Sequence, residues 1–153
     1  MLSKDPLDAL FTVLSEETGL AVMEDITTTD ENLKKIMSHS LMCFGSDSLY
    51  SSPLPHPRSY HCAIEFLAHY VRDEKVLSLE EGIKKMTGEP ASRLNIRRGI
   101  IKEGYPADIT IFDLDKLKVN EDNTNSGIEY VFVNGEPAIS EGKFTGKRGG
   151  KVI

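Results

Sequence analysis

The chain has 153 residues, with 24 acidic side chains against 18 lysines and arginines, and a formal net charge of −6. No basic stripe is present, so a nucleic-acid partner is not expected, and no apolar run approaches the ~20 residues of a membrane span. The length suits one domain but lies well below the roughly 250 residues of a complete eight-stranded α/β barrel. Because there is no secretory leader pattern and the two cysteines lack a CxxC spacing, we expect a cytoplasmic protein without a disulfide or cysteine metal site.

The first part of the chain predicts two helices that alternate with two short strands. Asp5 and Pro6 can start the first helix, and Thr29 or Asp30 can cap the second. The predicted elements are a helix to residue 19, a strand at 20–24, a helix from 30 to about 39 with Leu33, Ile36 and Met37 on its inner face, and a strand at 41–44. This order is typical of βα units with a parallel sheet.

The middle of the chain predicts a loop followed by helices. Residues 48–59 hold three prolines and four serines, which indicates an irregular loop. A helix is expected from about residue 61 to 73. Ser78 and Glu81 form a capping box that opens another helix, which ends near Gly88, and residues 90–94 can add one turn. Lys34, Lys35, Lys84 and Lys85 are expected on solvated outer faces.

The last third of the chain predicts antiparallel strands. The runs 107–112 and 127–133 have strand composition, and Asn134-Gly135 is a strong hairpin turn leading to 137–139. The polar stretch 114–126 is expected to be a loop. Asp108 is expected to accept backbone hydrogen bonds at a strand start, which is a structural role.

Asp47 is the leading candidate for chemistry. It follows the apolar run 41–44 and the residues Gly45-Ser46, so it is expected at the carboxyl end of a buried strand. In α/β barrels the active site is built from such strand ends, so a carboxylate there can be a general base or a metal ligand. The alternative is an ordinary turn or N-cap aspartate. Arg58, eleven residues later, is either a substrate-binding cation or a surface arginine of a polar loop.

Several motifs, taken together and in this order, resemble the N-acyl-D-amino-acid deacylases, or D-aminoacylases, of the metal-dependent amidohydrolase superfamily. They are Gly45-Ser46-Asp47, Leu54-Pro55-His56-Pro57-Arg58-Ser59-Tyr60, Tyr70-Val71-Arg72, Leu77-Ser78-Leu79-Glu80-Glu81, Lys85-Met86-Thr87, Pro90-Ala91-Ser92-Arg93-Leu94, Gly104-Tyr105-Pro106-Ala107-Asp108, the run 127–135 and Gly142-Lys143-Phe144-Thr145-Gly146. The resemblance implies an α/β fold: the last units of a TIM-type barrel at 1–95, followed by strands of a small β-sandwich at 96–153.

The resemblance also implies roles for two residues. Asp47 would act as general base and then general acid, and is a candidate metal ligand, while Arg58 would hold the α-carboxylate of an N-acyl-D-amino acid. The other zinc ligands of the family, including its His-x-His pair, are absent; His39, His56, His61 and His69 do not replace them, and His56 is expected to order its loop. The chain is therefore expected to be a fragment, split subunit or excised domain that binds zinc poorly unless an N-terminal polypeptide associates with it.

The sequence departs from the family pattern at two places near the expected site. Ser48 stands where a glycine is usual, and His61-Cys62 replaces a pair of small residues, so both changes are expected to crowd the mouth of the site. Two alternatives stay open. One is a cyclic-amide hydrolase of the hydantoinase or dihydroorotase kind, and the other is a non-catalytic module that self-associates through exposed sheet edges.

Overall fold

The computed structural model describes residues 5–18, 27–48, 56–120 and 124–152. The chain divides into two compact units, residues 1–32 and residues 33–153. The strand expected at 20–24 lies outside the described residues. No helix within the described ranges is both long and apolar enough to cross a bilayer.

The first unit contains helix α1, Pro6–Glu16, and the start of helix α2. Asp5 caps α1 as predicted, because its carboxylate accepts a hydrogen bond of 3.0 Å from the Leu7 backbone NH and Pro6 occupies the first helical position. Thr29 Oγ1 accepts from the Asn32 NH at 3.3 Å in the same way at the start of α2, Asp30–Ser38. Both helix starts confirm the sequence prediction.

The second unit carries most of the helices. Helix α3 runs from Arg58 to Glu65 and continues directly as a π-helix, Phe66–Asp73; α4 is Leu79–Met86 and α5 is Gly88–Arg93. The predicted capping box at α4 is confirmed, with Ser78 and Glu81 bonded reciprocally at 3.2 Å. Phe66, Leu67 and Val71 of the π-helix are buried and form the centre of the core.

The expected strand at 41–44 is wrong. Residues 42–48 lie outside regular structure, and the Phe44 NH donates to the carbonyl of Lys85 at 2.9 Å instead of to a sheet. An apolar run becomes a parallel strand only beside neighbouring strands, and none of the described residues pairs with it. The strand pairs in the described ranges are all antiparallel, so no parallel sheet is formed among those residues; the expected strand at 20–24 lies outside them.

Two side chains of the helices lie on the opposite side from that expected. Lys85 is buried, with only 8% of its surface exposed, and its Nζ donates to the carbonyl of His39 at 2.6 Å. Ile36 is 55% exposed although it was expected to face the core. Helical periodicity predicts which residues share a helix face, but not which other segments pack against that face. The sequence therefore did not predict that Lys85 is buried against a distant carbonyl.

The tail forms a four-stranded antiparallel sheet in the order β1-β4-β5-β6. Its strands are β1 Ile109–Phe112, β4 Ile128–Val133, β5 Glu136–Ser140 and β6 Lys143–Phe144. The predicted Asn134-Gly135 turn joins β4 and β5, and both residues adopt positive φ, as this hairpin type requires. Asp108 Oδ1 accepts from the Asn134 NH at 2.8 Å, which confirms its structural role.

The stretch 114–126 is more ordered than the expected loop. It contains a 3₁₀ turn, Leu114–Lys116, and two short paired strands, β2 Lys118–Val119 and β3 Asn125–Ser126. Leu117, fully buried with 0% exposure, anchors it in the core. Leu114, Leu117 and Val119 are the only large apolar residues of this mostly polar stretch, too few to show a regular period, so the sequence did not identify Leu117 as an anchor.

Candidate active site

The segment that carries Asp47 is anchored at Phe44. Besides the backbone bond to α4, the Phe44 ring packs against that of Phe66, with centroids 5.2 Å apart, and joins the edge of the core. Gly45 follows, with open space where a side chain would lie. Asp47 therefore lies three residues after Phe44, whose backbone and ring are both held in place.

Asp47 occupies the left-handed region of backbone space, with φ of 49°. Aspartate tolerates this conformation better than most residues because its short polar side chain can bond locally. Its side chain is 80% exposed, and its Oδ2 lies 2.8 Å from Nη1 of Arg58. The structure thus brings together the two residues that were selected from sequence.

Arg58 is the first residue of α3, whereas the sequence placed it in a loop. Its backbone NH donates to His56 Nδ1 at 3.1 Å, which confirms His56 as a residue that orders this turn. A cation at a helix N-terminus is opposed by the helix dipole, so the neighbouring Asp47 carboxylate offsets an unfavourable charge placement. Ser48 Oγ lies 3.4 Å from the Arg58 carbonyl, which adds a weak second link between segment and helix.

The Asp47–Arg58 ion pair is open to competition. The side chains are 80% and 41% exposed, and pairs of this kind contribute about 0–1 kcal/mol because water and salt screen them. A carboxylate ligand with good geometry can therefore displace Asp47 from the guanidinium at small cost. Such displacement would leave the Asp47 carboxylate available to accept a proton.

Cys62 lies one helical turn after Arg58, so both occupy the same face of α3. Burial raises the pKa of the Cys62 thiol, and the charge of Arg58 opposes this rise. The thiol is therefore neutral at pH 7 and acts as a small apolar neighbour of the guanidinium. The expectation that His61 and Cys62 narrow the site stays a prediction.

The described residues do not fit a zinc ion by themselves. Structural and catalytic zinc sites use at least three protein ligands, and no group of three or more His, Cys, Asp or Glu side chains in the described ranges could hold a metal. Asp47 pairs with Arg58, and His39 Nδ1 accepts from the Leu41 NH at 3.2 Å. His69 lies 3.6 Å from Glu74 and packs edge-on against Tyr70.

One contact near the site was not detectable from sequence. The side-chain amide of Asn125, in β3, donates to the carbonyl of Tyr60 at 3.0 Å. Sixty-five residues separate the two, and an exposed asparagine in a polar stretch carries no signal for such a partner. The tail therefore contacts the same helical turn that presents Arg58.

Comparison with known proteins identifies relatives of this chain. The model of the amidohydrolase family matches residues 12–139. The N-acyl-D-aspartate deacylase of Alcaligenes xylosoxydans xylosoxydans is 37% identical over 131 residues, which cover 80% of this chain and 26% of that protein. The D-aminoacylase of the same organism is 35% identical over 130 residues, covering 81% of this chain and 27% of the relative.

A solved structure gives the same result. The N-acyl-D-glutamate deacylase of Bordetella bronchiseptica, in complex with zinc and a phosphonate mimic of the tetrahedral intermediate, superimposes with a TM-score of 0.68 and 31% identity. The match covers 72% of this chain and 25% of that protein. The chain spans about a quarter of the length of the relatives it matches. With a family match over most of its length, an α/β fold shared with deacylases and the motifs around Asp47 and Arg58, the chain belongs to the amidohydrolase family.

Proposed function

We propose that this chain supplies the proton-transfer carboxylate and the substrate-binding arginine of an N-acyl-D-amino-acid deacylase. The observation that carries the proposal is the 2.8 Å contact between Asp47 and Arg58, in a chain similar to deacylases over four-fifths of its length. Residues 1–95 would be the last units of a TIM-type barrel, and 96–153 the strands of a small β-sandwich. The antiparallel tail sheet supports this division.

Arg58 would recognise the substrate. A planar guanidinium can form two charge-assisted hydrogen bonds with the α-carboxylate of an N-acyl-D-amino acid. The incoming carboxylate would take the place of Asp47 on Arg58. Substrate binding would in this way release the general base beside the scissile amide.

Asp47 would then move one proton twice. Its carboxylate takes a proton from the attacking water as the water oxygen bonds to the amide carbon. The C–N bond of the resulting tetrahedral intermediate breaks, and Asp47 returns the proton to the leaving nitrogen. The products are a D-amino acid and a carboxylic acid, and Asp47 ends ionised as it began.

Zinc assistance would require ligands from other polypeptide. The described residues do not form a zinc site alone, so a zinc ion would have to be held mainly by ligands outside them. An N-terminal polypeptide with the missing ligands, or self-association of the chain, would have to complete the site. The cytoplasmic location also stays a prediction.

The experiment is release of D-amino acid from N-acetyl-D-amino acids with zinc present. The chain is assayed alone and after co-expression with the N-terminal part of the Alcaligenes D-aminoacylase that it does not match. We expect little release by the chain alone and clear release by the pair. Asp47→Asn should abolish that release, because the amide cannot accept the proton.

A matched variant separates catalysis from binding. Arg58→Lys keeps the charge but loses the two-pronged contact, so it should raise KM more than it lowers kcat. Glu141→Gln removes an exposed carboxylate in the turn between β5 and β6, outside the site, and should leave both KM and kcat unchanged. Release that survives Asp47→Asn would contradict the proposal, and a folded, self-associated chain that never supports release would favour the non-catalytic module.

A further inference from the structure

We propose that Asn125 is a positioning residue for Arg58, acting through the first turn of α3. The inference rests on the proposed substrate-binding role of Arg58. It concerns a segment that we call the tail arm, residues 114–120 and 124–126, which follows the sheet strand β1. Asn125 touches neither Asp47 nor Arg58 in the contacts described, so its effect is indirect.

The first turn of α3 lacks a capping bond from its N-cap side chain. Its N-cap residue is Pro57, whereas Asp5 and Ser78 cap α1 and α4 with their side chains. His56 bonds the Arg58 NH, and the NH groups of Tyr60 and His61 both donate to the Pro57 carbonyl at 3.0 Å. Helix ends fray more readily than helix interiors, so a further bond to this turn would restrict the movement of its first residue, Arg58.

Asn125 supplies a support from the side. Its Nδ2 donates to the Tyr60 carbonyl at 3.0 Å, and strand β2 of the arm packs against α3. The bond is made to a backbone atom only two residues from Arg58. It therefore fixes the position of the turn without depending on the identity of the side chains around it.

The tail arm can act as a support because it is itself held firmly. Asn120 bonds both Thr124 Oγ1 and Ser126 Oγ at 2.9 Å, which ties its two strands together. The buried Leu117 fixes the arm to the core, and Gly127 leaves no room for a side chain beside it. Asn125 thus projects from a rigid base.

Arg72 fixes the other end of the arm to the same continuous helix. Its Nη1 donates to the carbonyls of Leu114 at 2.9 Å and Leu117 at 2.7 Å, while Asp73 pairs with its other nitrogens. Arg72 belongs to the Tyr70-Val71-Arg72 motif, which has no part in the proposed chemistry. These hydrogen bonds give the motif a structural role. Arg72 at the carboxyl end and Asn125 at the amino end clamp the arm along the helix that presents Arg58.

The test compares Asn125→Ala with Asn125→Gln, which keeps the amide donor, and with Asn32→Ala, an exposed asparagine of α2. Hydrogen exchange of backbone amides is measured by NMR on the chain as it exists. Losing one hydrogen bond should raise exchange of the Tyr60 and His61 amides about 2- to 10-fold, with α4 amides unchanged. Asn125→Gln should restore at least part of the protection.

The catalytic readout uses the co-expressed pair. Asn125→Ala should raise KM for an N-acetyl-D-amino acid about 2- to 10-fold and leave kcat within about twofold, because the chemistry itself is untouched. Unchanged exchange at Tyr60 and His61, or equal acceleration throughout the chain, would overturn the positioning role. Faster amide exchange in Asn125→Ala, combined with D-amino-acid release that survives Asp47→Asn, would support the positioning role of Asn125 and reject the proposed function. Failure of this inference can therefore be distinguished from failure of the proposed function.

Discussion

Substitution of Asp108 by Asn should destabilise the tail sheet more than any exposed ion pair can explain. Asp108 Oδ1 accepts from the Asn134 NH at 2.8 Å, Oδ2 bonds closely to Arg98 Nη1, and Arg98 Nη2 donates to Asn134 Oδ1 at 2.8 Å. One carboxylate thus joins the start of β1 to the β4–β5 turn and to the segment before the sheet. Asparagine could keep one acceptor only, with its NH₂ facing the guanidinium.

The expected cost follows from this loss of one charge-assisted hydrogen bond. Such bonds contribute about 1.5–3 kcal/mol, and both partners are less than one-third exposed, with side-chain exposures of 29% and 21%. At about 2–4 °C per kcal/mol for a chain of this size, Tm should fall by roughly 3–12 °C. Thermal unfolding followed by circular dichroism measures this directly.

Glu136→Gln is the matched control. Glu136 pairs with Lys147 at 2.9 Å, but the side chains are 55% and 57% exposed, so the change should cost no more than about 1 kcal/mol. If Asp108→Asn lowered Tm no more than Glu136→Gln, the network would not hold the sheet as we describe. Combining Asp108→Asn with Arg98→Met should give less than the sum of the single effects.

Three further predictions concern the same unit. Lys85→Ala removes a buried side chain and its hydrogen bond and should lower the free energy of unfolding by about 1–3 kcal/mol in urea titrations, whereas the exposed Lys84→Ala should change it by less than about 0.5 kcal/mol. Gly127→Ala should lower the free energy of unfolding by at least about 2 kcal/mol in the same titrations, because φ is 88° and an added Cβ would lie 2.6 Å from the backbone of Leu117. Gly135→Ala is the control, since φ is a similar 82° but the space around it is open, and it should lower the free energy of unfolding less. Equal losses in the two variants would refute the clash at Gly127. Desolvation alone would raise the pKa of the Asp108 carboxyl, but its bonds to the Asn134 NH and to the Arg98 guanidinium lower that pKa below its ordinary value. The stability that the ionised Asp108 contributes to the fold is therefore complete above about pH 5 and is lost as the pH falls below about 4. Between pH 6 and 3, the free energy of unfolding should therefore change less with pH in the Asp108→Asn variant than in the unaltered chain. Parallel pH curves for the two proteins would contradict this.

Local chemistry made several features of the fold predictable. Asp5-Pro6, the Ser78–Glu81 capping box and the Asn134-Gly135 turn act through neighbours within four residues, so their patterns were sufficient. Asp47 and Arg58 were selected by motif, and they lie only eleven residues apart in the sequence. These features depend little on what packs around them.

The missed features depend on distant partners. The run 41–44 has strand composition, but a strand exists only where another pairs with it. Lys85, Arg72 and Asn125 each reach a backbone carbonyl at least 42 residues away, which no local pattern encodes.

D-Amino-acid release by the co-expressed pair, with and without Asp47→Asn, tests the proposed chemistry most directly. The chain alone, with zinc, should release little, and the pair should release D-amino acid only when Asp47 is intact. Circular dichroism and size-exclusion chromatography must show that both proteins are folded and associated. Release that is equal in the pair and in its Asp47→Asn variant would contradict the assignment of Asp47 as the group that moves the proton.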